Sequence, residues 1–460
     1  MAKVVLFFSL LLVFLSTCNN SRNAADEGAS VMGSRGPHLS QVQGEVRGAG
    51  EAEEQTEAKP PSPLEAKHPP LRGDGGDSNA SPPRGAGGDT PAIPAAYNTQ
   101  QVVEALSGHR VALVVNHTST VDPEGTHLAD ALLAAGINVR KVFAPEHGFR
   151  GTADAGAKIK NGRDPSTNLP VLSLYGRTKK PSAEMLADVD VLVFDMQDVG
   201  TRFYTYISTL YYVMEAAAER GKRVLVLDRP NPNGHRIDGP VLDMKFTSFV
   251  GIAPIPVLHG LTVGEFARMV NGEGWLKGGL RAELDVLAME GYTHATPYEL
   301  PIAPSPNLPN MRSVYLYPHL CFFEGTSVSV GRGTQKQFQV YGHPAFTFGD
   351  YRFTPSPQPG ATNPKLNGTA CRGVDLTAMS AEAARDIPAL DVDRLLKAYT
   401  DLKAQNKIFF ERPDFFDLLA GTDRLRLDIK AGKTAGEIRA GWAEELAVYR
   451  RMREGYVLYP

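Results

Sequence analysis

Five short runs of Val, Leu and Phe, at 110–116, 139–145, 169–175, 189–195 and 223–228, have centres that are nearly continuously apolar. Strands buried on both faces carry this pattern, whereas a strand with one wet face alternates. Helical candidates lie between several of them, at 127–135, 182–187 and 205–220. Strand–helix alternation predicts an α/β domain with a parallel sheet and crossover helices. The stretch 148–168 is too long for a plain connection and reads as a candidate substrate loop.

The pattern loosens in the second half. A helix is expected from Thr262, with Glu265 three residues on at capping-box spacing, which gives Glu265 a structural explanation. Beyond Trp275 come a strand candidate at 284–289, a loop with Pro301, Pro304, Pro306 and Pro309, and a Gly/Ser/Thr-rich connection at 325–333. A short strand at 374–376 and helices at 392–404, 415–429 and 438–453 follow, the last opened by a second box, Thr434 with Glu437. This half reads as a smaller α+β domain, with the two domains at 97–275 and 276–460.

The N-terminal part reads differently. Residues from Val4 to Leu15 are apolar apart from Ser9, too short a run for the roughly 20 residues a membrane span needs. It has the proportions of a secretory signal. Cys18, directly behind it, resembles a lipobox cysteine, so residues 1–18 read as a signal ending in a lipid-accepting Cys18. Residues 19–96 are Gly-, Pro-, Ser-, Ala- and charge-rich and read as a disordered tether. A net charge of −3 with no Lys/Arg block argues against nucleic acid as a partner. The remaining cysteines, Cys321 and Cys371, read equally as one disulfide or two free thiols.

The ends of the five strand candidates hold the chemistry. Asn116 and His117 follow the first, Glu146 and His147 the second, and Tyr175 ends the third. Asp195, Gln197 and Asp198 end the fourth, with Arg202, Tyr204 and Tyr206 close behind, and Asp228, Arg229 and Asn231 end the fifth. In open α/β sheets ligands bind outside the carboxyl ends of the strands. No Gly-x-Gly-x-x-Gly or Walker-type phosphate cradle is present, so nucleotide chemistry is disfavoured. Metal-ligand signatures are weak, and no Gly-x-Ser-x-Gly elbow supports a serine hydrolase. Carboxylates, amides and aromatic rings together suit a sugar, with two carboxyls flanking a glycosidic bond as acid and base or nucleophile.

Eight blocks carry a resemblance: FAPEHG (143–148), SLYG (173–176), FDMQDVG (194–200), RFYTY (202–206), LDRPNP (227–232), PSPN (304–307), FEGT (323–326) and GRGT (331–334). In this order they resemble the exo-β-N-acetylmuramidases of NamZ type. The resemblance implies a Rossmann-like domain joined to a smaller one, a cleft between them, no cofactor, and release of terminal N-acetylmuramic acid from peptidoglycan fragments. It implies Glu146 as leading acid/base, His147 tuning it, and Asp198 as a partner carboxylate, with Asp195 and Glu324 as further acidic candidates. A lactyl carboxylate requires a cation, for which Arg202, Arg229 and Arg332 are the candidates. Asn116, His117, Tyr175, Gln197, Tyr204, Asp228, Asn231, His259 and Asn307 complete the candidate substrate-binding set. The implied partners are muramyl saccharides, and the expected location is the bacterial cell envelope, through the Cys18 lipid alone. Competing expectations are a non-catalytic muropeptide-binding lipoprotein and a metal-dependent hydrolase of the same glycans.

Overall fold

A computed structural model of the chain describes residues 91–145, 148–150, 161–176 and 178–460. The chain enters through α1 (Thr99–Leu106), then β1 (Arg110–Val115), α2 (Leu128–Ala134), β2 (Asn138–Ala144), β3 (Gly162–Arg163), β4 (Pro170–Ser173), β5 (Val191–Asp195), α3 (Tyr206–Glu219) and β6 (Arg223–Leu227). A small β7 (Ile237–Asp238) and β8 (Leu258–His259) pair with each other before α4 (Val263–Gly272) and β9 (Glu283–Leu287). Seven strands form one sheet in the order β3-β4-β2-β1-β5-β6-β9, parallel except for the β3–β4 edge.

The apolar runs are continuous because both sheet faces are covered. In β1, Val111, Leu113 and Val115 enter one core with Val102 and Leu106 of α1 and Leu128 and Leu132 of α2. The alternate residues Ala112 and Val114 enter the other, with Leu210 and Met214 of α3 and Phe266 and Val270 of α4. Strand β5 divides the same way, Val191 and Val193 against Leu192 and Phe194. Each successive side chain in a strand turns to the opposite face, so every position here must be apolar.

The second half adds α5 (Met311–Leu320), β10 (Val340–His343), β11 (Tyr351–Phe353), β12 (Cys371–Asp375), α6 (Ala381–Arg385), α7 (Asp393–Ala404), α8 (Pro413–Ala420), α9 (Arg424–Ala431), α10 (Ala435–Ala440) and α11 (Ala443–Glu454). Its three strands form an antiparallel sheet in the order β10-β12-β11. The α/β class with a mostly parallel sheet and a smaller α+β part therefore holds.

Several elements differ from the sequence reading. The helix expected at 182–187 is absent, and residues 183–188 form turns instead. The run is far shorter than the ~12 residues a helix needs without strong packing, and the Met185 carbonyl accepts from Lys141 Nζ at 2.9 Å. The strand candidate at 284–289, read as part of the smaller domain, is edge strand β9 of the large sheet, parallel to β6. Residues 415–429 make two helices, broken at Gly421 (φ 72°). Residues 438–453 likewise divide at Gly441 and Trp442, and the capping box Thr434–Glu437 opens α10 instead of one long helix. The end of the expected tether is ordered: Ile93 bridges Glu290, and Ala95 N donates to the Asp228 carbonyl at 3.0 Å. Helix α5 is not announced by the sequence, because Pro318 sits inside it. Cys321 and Cys371 are buried free thiols. Cys18 lies outside the described residues.

Candidate active site

The strand order reverses direction at β1. The chain builds outward from β1 through β2 to β4, then returns to the other side of β1 with β5. Val114 pairs with Phe143 of β2 on one side and Phe194 of β5 on the other. A crevice at such a switch point is where open α/β sheets bind ligands. The residues leaving β1 and β5 there are Asn116, His117 and Thr118, and Gln197 and Asp198.

A short hydrogen-bond chain sets these groups. Asn116 Oδ1 accepts from Thr118 N at 2.9 Å and Thr118 Oγ1 at 2.6 Å. Thr118 Oγ1 in turn accepts from Gln197 N at 3.0 Å. Ser119 Oγ accepts from Asn116 N at 3.0 Å and donates to the Asp195 carbonyl. Gln197 Nε2 donates to the carbonyls of Asp198 at 2.8 Å and Pro230 at 2.7 Å, joining the ends of β5 and β6.

Asp198 lies at the end of this chain. Its Oδ2 accepts from Gly200 N at 2.6 Å, while the buried Oδ1 has no partner among the described residues. Burial pushes the carboxyl up to about 7, against the lowering effect of the Gly200 and Val199 amides. A carboxyl placed there holds its proton near neutrality, as a general acid must.

The proline-rich loop at 301–309 is pinned to this crest. His117 Nε2 meets the Ala303 carbonyl at 3.0 Å, so Nε2 carries the proton, and burial pulls the ring's pKa below its ordinary value. Tyr204 OH donates to the Pro304 carbonyl at 2.7 Å, and Asn307 Nδ2 to the Gly360 carbonyl at 2.9 Å. Aromatic rings then lead into the second half: Tyr204 packs edge-on against Tyr206 at 4.9 Å and Tyr317 at 6.0 Å, and Tyr317 against Phe338 at 4.9 Å. Arg332 lies 5.1 Å over the Phe338 ring and donates to Glu324 Oε1 (2.6 Å) and Oε2 (3.2 Å). Asn116, His117, Gln197, Asp198, Tyr204, Asn307, Glu324 and Arg332 are thus linked in one region. Tyr175 is buried just beyond the end of β4.

Four candidates hold the scaffold, and two more are locked to each other. Arg202 is fully buried, with Nη1 on the carbonyls of Pro240 and Ile255 at 2.7 Å and Nη2 on Leu419 O at 3.0 Å. Asp195 and Arg229 form a buried bidentate pair at 2.5 and 2.9 Å, with Arg229 Nη2 also on Thr120 O. Asp228 accepts from Thr262 Oγ1, Gly264 N, Tyr459 OH and Arg229 N. Asn231 joins Leu261 O to Asn233 N. His259 accepts from Leu261 N on Nδ1, and burial pulls its pKa down to about 3. These side chains hold the loops behind the strand ends; Arg202 is fully buried and the Arg229 fork is taken by Asp195, so neither faces a substrate carboxylate.

Glu146 and His147 lie outside the described residues, directly after Pro145 in the sequence. Among the described residues no group of three or more His, Cys, Asp or Glu could hold a metal ion.

A family model for the N-terminal part of the exo-beta-N-acetylmuramidase NamZ matches residues 111–312, and one for its C-terminal part matches residues 315–459. The chain belongs to the NamZ exo-β-N-acetylmuramidase family. It is a glycosidase of that family. It is 38% identical over 378 residues to the peptidoglycan beta-N-acetylmuramidase NamZ of Bacillus subtilis, covering 77% of this chain and 88% of that one. Among solved structures it is similar to a DUF1343 family protein from Bacteroides fragilis, with 45% identity, a TM-score of 0.74, and 80% of this chain and 99% of that one covered. A second DUF1343 family protein from Bacteroides fragilis gives 31% identity and a TM-score of 0.69 over the same shares.

One residue of this region had no signal in the sequence. Lys365, in an irregular segment without a motif, places Nζ against the carbonyls of Phe323, Glu324 and Thr326.

Proposed function

We propose that this chain is an exo-acting glycosidase that releases terminal N-acetylmuramic acid from peptidoglycan fragments. The observation that carries this reading is Asp198, a buried carboxyl at the switch point with Oδ1 unspent. Beside a family membership that covers both halves of the chain, it supplies a proton-holding carboxyl where a ligand enters. Glu146, in the FAPEHG block that carries the family resemblance, is its partner in acid–base chemistry, as glycosidases use two carboxyls. Below about pH 7 the proton in the free enzyme rests on Asp198.

Arg332 is the cation for the lactyl carboxylate. Its side chain is 26% exposed, unlike the other two arginine candidates, and Glu324 holds it by Nε and Nη2. A guanidinium oriented from one side presents its remaining N–H groups as a fork.

The test is turnover of a chromogenic N-acetylmuramide by the full chain. Glu146→Gln is expected to fold with an unchanged melting curve and to lose at least ~100-fold in kcat, the usual worth of a general acid–base group. Retained activity in that variant would remove Glu146 from its role. Export and lipidation at Cys18 form part of the same reading, supported by the apolar run before it. Fatty-acid labelling that persists in Cys18→Ala would count against that part alone.

A further inference from the structure

The Glu324–Arg332 pair rests on Lys365. Glu324 lies in the 3-10 turn Cys321–Gly325, in which the Phe323 carbonyl already accepts from Thr326 N at 2.9 Å and the Gly325 carbonyl from Arg412 N at 3.0 Å. Lys365, between β11 and β12, donates from Nζ to the Thr326 carbonyl, with the carbonyls of Glu324 at 3.3 Å and Phe323 at 3.4 Å. Its side chain is 25% exposed, and the nearest acid, Glu411, stands 3.7 Å away. Burial pulls the amine down to about 8, opposed by Glu411 and Glu324 and reinforced by Arg412. Taking an ammonium out of water is expensive unless its donors are matched. Here the matching groups are backbone carbonyls on both sides of Glu324.

The partner of Glu324 is held just as tightly. Gly331 (φ 77°) and Gly333 (φ 79°) flank Arg332, and a Cβ at either would fall within 2.7 Å of backbone or ring atoms. The guanidinium is then fixed by its two hydrogen bonds to Glu324 and by the Phe338 ring face. Any drift in the turn that carries Glu324 is passed to Arg332 through that bidentate contact, because a planar fork tolerates little misalignment.

We propose that Lys365 is a positioning residue for substrate binding, which fixes the backbone around Glu324 and so holds Arg332 in register for a substrate carboxylate. This rests on the reading that Arg332 receives the lactyl carboxylate. Lys365 does not touch the sugar. A lysine serves this place better than an arginine, since three donors on a compact head can meet carbonyls from one turn, whereas a planar fork cannot.

The experiment compares two chromogenic substrates that differ only in charge, the N-acetylmuramide and its lactyl carboxamide. The wild-type chain is expected to favour the acid in KM by roughly 10- to 100-fold, the worth of a charge-assisted hydrogen bond. Lys365→Met should reduce that preference to within a few-fold by raising KM for the acid, with kcat and the KM of the amide little changed. Lys365→Gln, which keeps a donor, should recover part of the preference and covers the case in which the methionine variant folds poorly. Loss of activity on both substrates alike in Lys365→Gln, or a preference untouched in either folded variant, overturns the proposal. Arg332→Gln separates the two readings. If the wild type cleaves the acid with no preference over the amide, or Arg332→Gln keeps the preference, the lactyl role of Arg332 fails and this inference with it. A preference abolished by Arg332→Gln but kept in Lys365→Met removes Lys365 alone.

Discussion

At the scale of single residues, the same side-chain chemistry takes opposite roles according to which partners the fold supplies. Asp195, Asp198 and Asp228 all end strands, yet Asp195 is neutralised by Arg229 and Asp228 accepts from four donors. Asp198 has one amide at 2.6 Å and an oxygen without a partner among the described residues. Its folded pKa, about 7, stands above the ordinary carboxyl value of 3.8. The protonated form is therefore favoured by folding. The stabilisation is fully present below pH 3.8 and is lost progressively as pH rises through about 7. Two outcomes are expected. The kcat/KM profile of the wild type should fall above about pH 7 as the acid ionises. Asp198→Asn should lose most turnover while melting higher than wild type at pH 8, measured side by side. A variant that melts lower at pH 8 than wild type would show that the buried charge is not a liability there.

At the scale of elements, glycines and caps set boundaries that hydrophobic patterning does not reveal. The run 415–429 is amphipathic enough to read as one helix, but Gly421 takes φ 72° and ends α8. A Cβ there would lie 2.6 Å from Arg202 Nη2. Gly421→Ala is expected to destabilise the chain by more than the ~1–2 kcal/mol of a left-handed alanine alone, read as a lower urea midpoint. The break was hidden because a glycine inside an apolar period is equally compatible with a tolerated helical glycine. The cap of α4 was legible, since Thr262 and Glu265 stand at the right spacing and both hydrogen bonds form. Its other duties were not: Thr262 Oγ1 donates to Asp228, and Glu265 also meets Leu458 N and His294 Nε2. Thr262→Ala should thus cost more than the ~1 kcal/mol of an ordinary N-cap, measured by denaturant unfolding.

At the scale of the whole molecule, the two halves share one large core, which runs from Ala112 and Phe194 of the sheet through Tyr317 and Phe338 to Phe416 and Tyr449. Arg202 ties the two together, with carbonyls from residues 240, 255 and 419 on one guanidinium. Arg202→Met removes the donor from the Pro240 and Leu419 carbonyls, each worth about 1–3 kcal/mol, while the Ile255 carbonyl keeps its bond from Leu242 N. We expect a single, cooperative transition at a lower temperature, without separate melting of two parts. A biphasic melt of the variant, with the first phase confined to the C-terminal half, would show that the guanidinium, more than the shared core, unites them.

The five strands, their parallel pairing and the crowding of polar residues at their carboxyl ends followed from the sequence, although β4 is only half-buried where its apolar run predicted full burial. Period and composition record whether a segment is buried on one face or two, and that depends only on neighbours in the chain and the sheet. The family was also legible, because its blocks are local. Which polar groups remain available for chemistry was decided only in three dimensions. Arg202, Arg229 and Arg332 are indistinguishable as letters. They separate because Leu419 O reaches the first, Asp195 the second, and Glu324 and Phe338 hold the third, whose side chain stays 26% exposed. Lys365 shows the same limit, for its role depends on carbonyls about 40 residues earlier in the chain. Burial pattern is written in the sequence; the satisfaction of a donor or acceptor is a property of whatever the fold brings beside it.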